Sequence, residues 1–396
     1  MIQKFLIASF LFISTGLSAQ RIPIDEYSTA PYLSQIGSAF NRVFNDHHLD
    51  SVYIKLAAIK KHQRGTLRIV HIGDSHLQAG YFPGEVRTRL QDFFGNAGRG
   101  LVFPYDIIKT TSPVDITSSS NTGWKPDKVA TTGDADNVGI SGYGMRTGAT
   151  GATVELSLKQ GSFDRLRFFT GEKNAWIFRS GGDESSRMLK PSGSNYADIS
   201  LETPASSFSL SAMPGSDSYD FYGVSLENKS AGVIYHSIGV NGARYEQYNK
   251  AELFWKQLPG LQADLYIISL GTNEAQKAKF DDKEFRKELS EFLKKLKKIS
   301  PGAGVILTTA QDSYKNGRSN IVLRDLNMFL FEYCTQNSIP VWDLYRVTNG
   351  YGSAFGWIRR GLMNRDMVHF TAEGYRLQGQ LLFAALAKGY NNYHGY

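Results

Sequence analysis

The sequence predicts a doubly wound α/β protein, a five-stranded parallel sheet of flavodoxin-like type, interrupted by an all-β insert. Three observations carry this. Five short apolar runs lack strict polar alternation, a helical stripe follows each of them, and in one long interval helical periodicity gives way to alternation and turn residues. Continuous β-branched runs suit strands buried on both faces of a parallel sheet. Alternation of strand and helix places ligands beyond the carboxyl ends of the strands.

The elements follow in chain order. Residues 1–19 carry Lys4, the apolar run Phe5 to Ile13 and small residues ending at Ala19, the layout of a secretory signal peptide. The apolar run is shorter than the ~20 residues that span a bilayer. No later run reaches that length, so no membrane span is expected after cleavage, and a periplasmic or envelope location follows. No cysteine follows Ala19 directly, which argues against a lipid anchor.

Arg21 to Gly65 reads as a helical preface, with Leu49, Val52, Leu56 and Ile59 on one stripe. The strands are Leu67 to Ile72, Gly232 to Ile238, Ala263 to Leu270, Gly304 to Ala310 and Ile339 to Leu344. After the first, Pro83 fits a first helical turn, and Phe82, Val86, Leu90 and Phe93 recur until Gly95. Arg244 to Leu258 and Asn320 to Asn337 are helix candidates, and Phe285, Leu289, Phe292, Leu293, Leu296 and Ile299 form a clear stripe between them. Thr371 to Lys388 closes the series, with Gly389 as the expected stop.

Between Lys109 and Ala231 the runs ATVELSLK, DRLRFF, AWIFRS, ADISLE, SSFSLSA and DFYGVSLE alternate between turn clusters such as PSGSN and PGSDS, the pattern of an antiparallel β-sandwich. The domain reading is therefore 20–108 joined to 232–396 as one discontinuous α/β domain, with 109–231 as the insert.

Composition narrows the chemistry. With 396 residues, 41% of them hydrophobic, the chain can bury a large core. Cys334 is the only cysteine, so no internal disulfide forms, and its apolar helical neighbours make it a small buried hydrophobe. The formal charge of +7 falls by one when Lys4 leaves with the leader, a mildly basic surface suited to acidic polymers. Lys294, Lys295, Lys297 and Lys298 read as a solvated helix face, and no nucleic-acid partner is indicated. No cluster has zinc spacing and no Gly-rich phosphate loop follows a strand, so neither metal nor cofactor is expected.

The first strand ends in Gly73-Asp74-Ser75-His76. A serine where a parallel strand turns toward a helix displays its hydroxyl beside backbone N–H groups that can stabilise an oxyanion. Gly-Asp-Ser is equally ordinary turn chemistry. Three further segments fall on the same edge: SIGVNGARY after the second strand, SLGTNEA after the third, and RDMVHFTAEGY before the last helix.

In these four blocks, in order from about Leu67 to Lys388 apart from the insert, the sequence resembles the SGNH, or GDSL, hydrolases. The resemblance implies the SGNH hydrolase fold, with Ser75 as nucleophile, His369 as base and Asp366 as the carboxylate that orients it. It implies an oxyanion hole from the N–H of Ser75, the N–H of Gly242 and the amide of Asn273, with Gly242 preferred over Gly239. Singly, each partner has a structural reading: a capping pair, a turn residue, a glycine needed for positive φ. His71 and His236 read as lone core groups, and His47 and His48 as a helix boundary.

The phrases FGNAGRGLVFPY and YGVSLENKSAGVIYHSIGVNGA, together with the β insert, resemble the bacterial peptidoglycan O-acetylesterases of that family, whose inserted module is similar to a carbohydrate-binding jelly roll. This implies release of O-6 acetyl groups from muramoyl residues, with O-acetylated polysaccharide as partner. Candidate substrate contacts are His76, Gln311, Trp357 and Arg359, with Asp312, Phe355 and Arg360 beside them on edge loops. Competing readings are an acetylesterase on xylan or another glycan, a lysophospholipase or thioesterase, an acetyltransferase, and a non-catalytic glycan-binding protein.

Overall fold

The computed structural model describes residues 20–24, 30–131, 137–181, 185–191 and 195–394, so the expected leader lies outside the described residues. All five expected parallel strands are present, as Thr66–Gly73, Gly232–Gly239, Leu265–Ser269, Gly304–Thr308 and Val341–Trp342. Across the sheet, in chain numbering, they run in the order 2-1-3-4-5, the flavodoxin-like order. The sheet is mixed and six-stranded rather than five-stranded and all parallel, because Val43–Phe44 pairs antiparallel with Val341–Trp342 at the edge. Two residues are too few to show a period in the sequence.

Register aligns the carboxyl ends. Gly73 pairs with Gly239 on one side and Ser269 on the other, so the segments after these strands leave the sheet at one level. Tyr81–Phe94 follows the first strand, burying Phe82, Val86, Leu90 and Phe94, and Gly95 at φ +102° ends it. Asp281 caps Asp282–Ile299 by accepting from the N–H groups of Lys283 and Glu284, and the helix buries Phe285, Leu289, Phe292 and Leu296.

Two helix expectations change. Arg244 to Leu258 is two short helices, Tyr245–Lys250 and Glu252–Gln257, broken at Ala251, whose ψ of 80° is not helical. The last helix, Ala372–Tyr393, runs through Gly389 instead of stopping there. A Cβ at Gly389 would collide with the Tyr53 hydroxyl, so this glycine allows the last helix to approach the Asp50–His62 helix closely.

The six alternating runs are all strands of two antiparallel sheets. These sheets pack on each other, Phe168 against Trp176 at 5.5 Å and Phe163 against Phe208 at 6.0 Å between ring centroids. Pairing begins earlier than residue 109: Gly100–Val102 lies along Tyr219–Glu227. One apolar cluster runs from Trp176 and Phe221 through Ile238 to Ile72, Tyr266 and Ile268, so the antiparallel sheets share a core with one face of the parallel sheet. The other face packs under Val86, Leu90, Leu381 and Leu382.

Gly239 marks the tightest approach at the functional edge: a Cβ there would lie 2.5 Å from the Gln78 backbone nitrogen. Gly239→Ala is expected to cost about 1–3 kcal/mol through overpacking, read as a lower denaturant midpoint. An unchanged midpoint would show that the helix after Ser75 can shift freely.

Candidate active site

The strand ending at Gly73 leads directly into the short helix Ser75–Gln78, whose cap is Asp74. Asp74 Oδ1 accepts from the His76 N–H at 3.0 Å, fixing the turn and leaving Ser75 in the first helical position, where the backbone N–H has no intrahelical acceptor. At Gly73 a Cβ would lie 2.7 Å from the Ser269 carbonyl oxygen and from Leu77 Cδ1, so a larger residue would push the Ser75 turn away from the sheet.

Ser75 Oγ lies 2.9 Å from His369 Nε2, across 294 residues of sequence. His369 Nδ1 lies 2.8 Å from Asp366 Oδ2, and Asp366 Oδ1 accepts from the N–H groups of Val368 and His369, each at 2.9 Å. Burial pushes the Asp366 carboxyl up, but these two N–H donors and the His369 ring outweigh it and hold the group below its ordinary value. The loop is braced around them. Met367 sits at φ +57°, its carbonyl accepts from Tyr314 N–H at 2.8 Å, and Asn364 N–H donates to the His369 carbonyl at 2.8 Å.

Gly242 stands at φ +86° and lines the same cleft, whereas Gly239 is the last residue of its strand. Asn273 Nδ2 donates to the Ala243 carbonyl at 3.1 Å and makes a longer contact, 3.3 Å, with Asp74 Oδ2. Burial pushes the Asp74 carboxyl up to about 7, and the nearby Glu274 adds to this against the His76 N–H and the Thr272 hydroxyl. Glu274 is likewise pushed up to about 7, chiefly by burial.

The cleft, about 700 Å³, is lined by Ser75, Gly242, Asn273 and His369 together with Ala79, Tyr81, Thr111, Asn241, Asn364, Phe370, Thr371, Ala372 and Tyr375. Apart from the His369 ring, its walls are hydroxyls, amides and small or aromatic groups, with no charged side chain. Tyr81, Thr111 and Asn364 gave no signal in the sequence, because each reaches the cleft from a different element.

None of the four expected substrate contacts lines this cleft. His76 is buried behind His369, ring centroids 5.3 Å apart, with Nδ1 2.8 Å from the Tyr375 hydroxyl. Gln311 is buried too, its Nε2 2.9 Å from His76 Nε2. Trp357 is buried edge-to-face on Phe370, its indole N–H donating to the Thr348 carbonyl at 3.1 Å. Arg359 is exposed at the end of the Ala354–Arg359 helix, outside the cleft walls. Asp312 is buried and accepts from Ala354 N–H at 3.1 Å, tying down the loop that was expected to face substrate. Among the described residues, no group of three or more His, Cys, Asp or Glu side chains is placed to hold a metal ion.

The GDSL-like Lipase/Acylhydrolase family model matches residues 209–377, which include Gly242, Asn273, Asp366 and His369 but not Ser75. A solved peptidoglycan O-acetylesterase structure is similar at 24% identity with a TM-score of 0.74, covering 86% of this chain and 96% of that one, and so shares its fold. A lipase/acylhydrolase from Enterococcus faecalis is similar over 40% of this chain and 77% of its own, at 22% identity and a TM-score of 0.33. A family two carbohydrate esterase from Cellvibrio japonicus covers 69% of this chain and 99% of its own, at 10% identity and a TM-score of 0.29. A search of curated proteins found no match. The resemblance to SGNH/GDSL hydrolases is borne out, and the family match supports carboxylic ester hydrolysis.

Burial holds three imidazoles neutral. His71, His76 and His236 are each pulled from 6.5 down to about 3, His76 with a further push from His369. Between those values the unfolded chain binds more protons at these sites, so each one disfavours folding as pH drops through that window. Asp74 and Glu274 act with the opposite sign, being protonated in the fold up to about 7. NMR titration of the folded protein should therefore show no ring transition for these three histidines between about pH 5 and 8. A midpoint near the ordinary value for any of them would contradict the packing described.

Proposed function

We propose that this GDSL-type ester hydrolase removes O-acetyl groups from a cell-wall polysaccharide, peptidoglycan foremost, with Ser75 as nucleophile. The observation that carries the reading is the continuous Ser75–His369–Asp366 hydrogen-bond chain opening on an uncharged cleft of amides and hydroxyls. Such walls match sugar hydroxyls. The cleft also carries apolar groups, Ala79, Phe370, Ala372 and the Tyr81 and Tyr375 rings, against which an acetyl methyl or a sugar face could pack.

In the reaction, Ser75 Oγ attacks the acetyl carbonyl carbon while its proton passes to His369 Nε2. Asp366 keeps the imidazole in the tautomer that accepts this proton and stabilises the imidazolium. The carbonyl oxygen, now negative, takes hydrogen bonds from the N–H groups of Ser75 and Gly242 and from Asn273 Nδ2, using the amide hydrogen that makes only the long contact with Asp74. His369 returns the proton to the sugar oxygen as the C–O bond breaks. A water, deprotonated by His369, then attacks the acetyl carbon, and His369 passes that proton to Ser75 Oγ as the C–Oγ bond breaks and acetate leaves.

The similar fold of the peptidoglycan O-acetylesterase structure supports the polymer assignment. We read the antiparallel sheets as an inserted module, 109–231 in outline, related to carbohydrate-binding jelly rolls. We also take residues 1–19 as an export leader, which delivers the enzyme to the periplasm or envelope, where such a polymer lies. No helix among the described residues is long and apolar enough to cross a membrane.

Acetate release is to be measured from O-acetylated peptidoglycan, acetylated xylan and a long-chain ester in parallel. Peptidoglycan is expected to be the best substrate. Preference for xylan would move the assignment to another glycan, and activity confined to the long-chain ester would overturn it. Ser75→Ala should lower esterase activity by at least about 10³-fold, and Asn273→Ala by about 10²–10³-fold in kcat, both with unfolding midpoints near wild type.

A further inference from the structure

Gln78 lies three residues after Ser75 on the same short helix, is buried, and has no part in the reaction as derived. Its amide is nonetheless fully engaged. Oε1 accepts from the Tyr143 hydroxyl at 2.9 Å and from the Asn241 N–H at 3.0 Å. Nε2 donates to Thr110 Oγ1 at 3.2 Å and to the Thr111 carbonyl at 3.0 Å. One side chain thus joins three pieces of chain: the nucleophile helix, the residue before Gly242, and the antiparallel sheets with the segment leading into them.

A second set of contacts meets the same loop from the other side. Lys128 Nζ donates to the Asn241 carbonyl at 3.3 Å, and Gln247 Nε2 donates to the Ala130 carbonyl at 3.2 Å. Ala130 Cβ stands 3.5 Å from where a Gly242 Cβ would be. Both backbone polar groups of Asn241 are therefore held, the N–H by Gln78 and the carbonyl by Lys128. Among the described residues the Gly242 N–H has no protein acceptor, which leaves it available to the cleft.

A glycine at positive φ is a position of high conformational freedom, and an oxyanion donor works only if its direction is set before charge develops. Something must hold the 240–243 loop: the Val240 N–H on the Gly73 carbonyl and Asn273 Nδ2 on the Ala243 carbonyl tie its two ends to the parallel sheet, and the contacts on Asn241 between them come from Gln78 and the antiparallel sheets. We propose that Gln78 is a positioning residue, and that the antiparallel sheets, through Tyr143 and Lys128, brace the oxyanion loop. This gives those sheets a part in catalysis that requires no sugar contact of their own. The inference rests on the esterase reading of the same site.

The test uses the full chain with Tyr143→Phe, Lys128→Met and Gln78→Ala, none of which touches the reacting atoms. Because the oxyanion forms only in the transition state, kcat on p-nitrophenyl acetate should fall with KM within about twofold of wild type. The expected losses are about tenfold for Tyr143→Phe and up to about 100-fold for Gln78→Ala. The Gln78→Ala/Tyr143→Phe double variant should be no slower than Gln78→Ala alone, since both act through one amide. Amide hydrogen exchange in peptides covering residues 240–244 should quicken in Tyr143→Phe and in Gln78→Ala.

Wild-type kcat and wild-type exchange in folded Tyr143→Phe and Lys128→Met would overturn the brace, as would a rise in KM at unchanged kcat. If Gln78→Ala does not fold, the other two variants decide. A wild-type protein inactive on every acyl ester would instead overturn the esterase reading, and the exchange measurement would still decide whether the brace exists.

Discussion

The bond of 2.9 Å between Ser75 Oγ and His369 Nε2 joins two residues 294 positions apart, and most of the architecture bears on keeping it. One end depends on a strand that stops at Gly73, level with Gly239 and Ser269, so that Ser75 enters a helix at the sheet edge. The other end depends on a loop closed on itself, with Met367 in the left-handed region and the Asn364 N–H on the His369 carbonyl. Asp366 is half exposed, with 49% of its side chain accessible, so solvent screens its charge. Its contribution is therefore largely directional: one oxygen orients the ring and the other holds two backbone N–H groups.

The protein separates two tasks that the same edge must perform. The parallel sheet sets the level at which the segments bearing Ser75, Gly242 and Asn273 emerge, and the helices Tyr81–Phe94 and Ala372–Tyr393 pack together on one face, where Gly379 lies close to the Phe82 carbonyl. The antiparallel sheets cover the other approach and reach the loop after Gly239. Because one apolar cluster runs through both, displacing the antiparallel sheets would also strip the parallel sheet near Ile72 and Ile268. Two buried layers behind the cleft explain why its walls can be polar and open while the Ser75–His369–Asp366 hydrogen bonds stay in place.

Much of this was legible in the sequence where the signal is local or periodic. The five parallel strands read from continuous apolar runs, Asn320 to Asn337 as a helix candidate after the fourth strand, and the six alternating runs as strands of period two. Strand and helix ends put Ser75, Gly242, Asn273 and His369 on one edge, and the resemblance of the four blocks to SGNH hydrolases implied their roles. Contacts made through tertiary packing were not legible. Trp357 and Arg359 share a Gly-rich loop and look alike as surface residues, yet one is buried on Phe370 and the other exposed. Gly389 reads as a helix stop, although its real constraint is Tyr53, distant in sequence. Gln78 carries no motif; its role emerges only when Asn241 and Tyr143 come within reach.

The most direct measurement is the structure of the protein after reaction with a serine-directed phosphonate carrying a small alkyl group, which mimics the tetrahedral state. The account predicts a covalent bond from Ser75 Oγ to phosphorus, with one phosphoryl oxygen about 2.7–3.1 Å from both Gly242 N and Asn273 Nδ2, and His369 Nε2 still facing Ser75. A phosphonate bound elsewhere, or a phosphoryl oxygen turned away from Gly242 and Asn273, would contradict it.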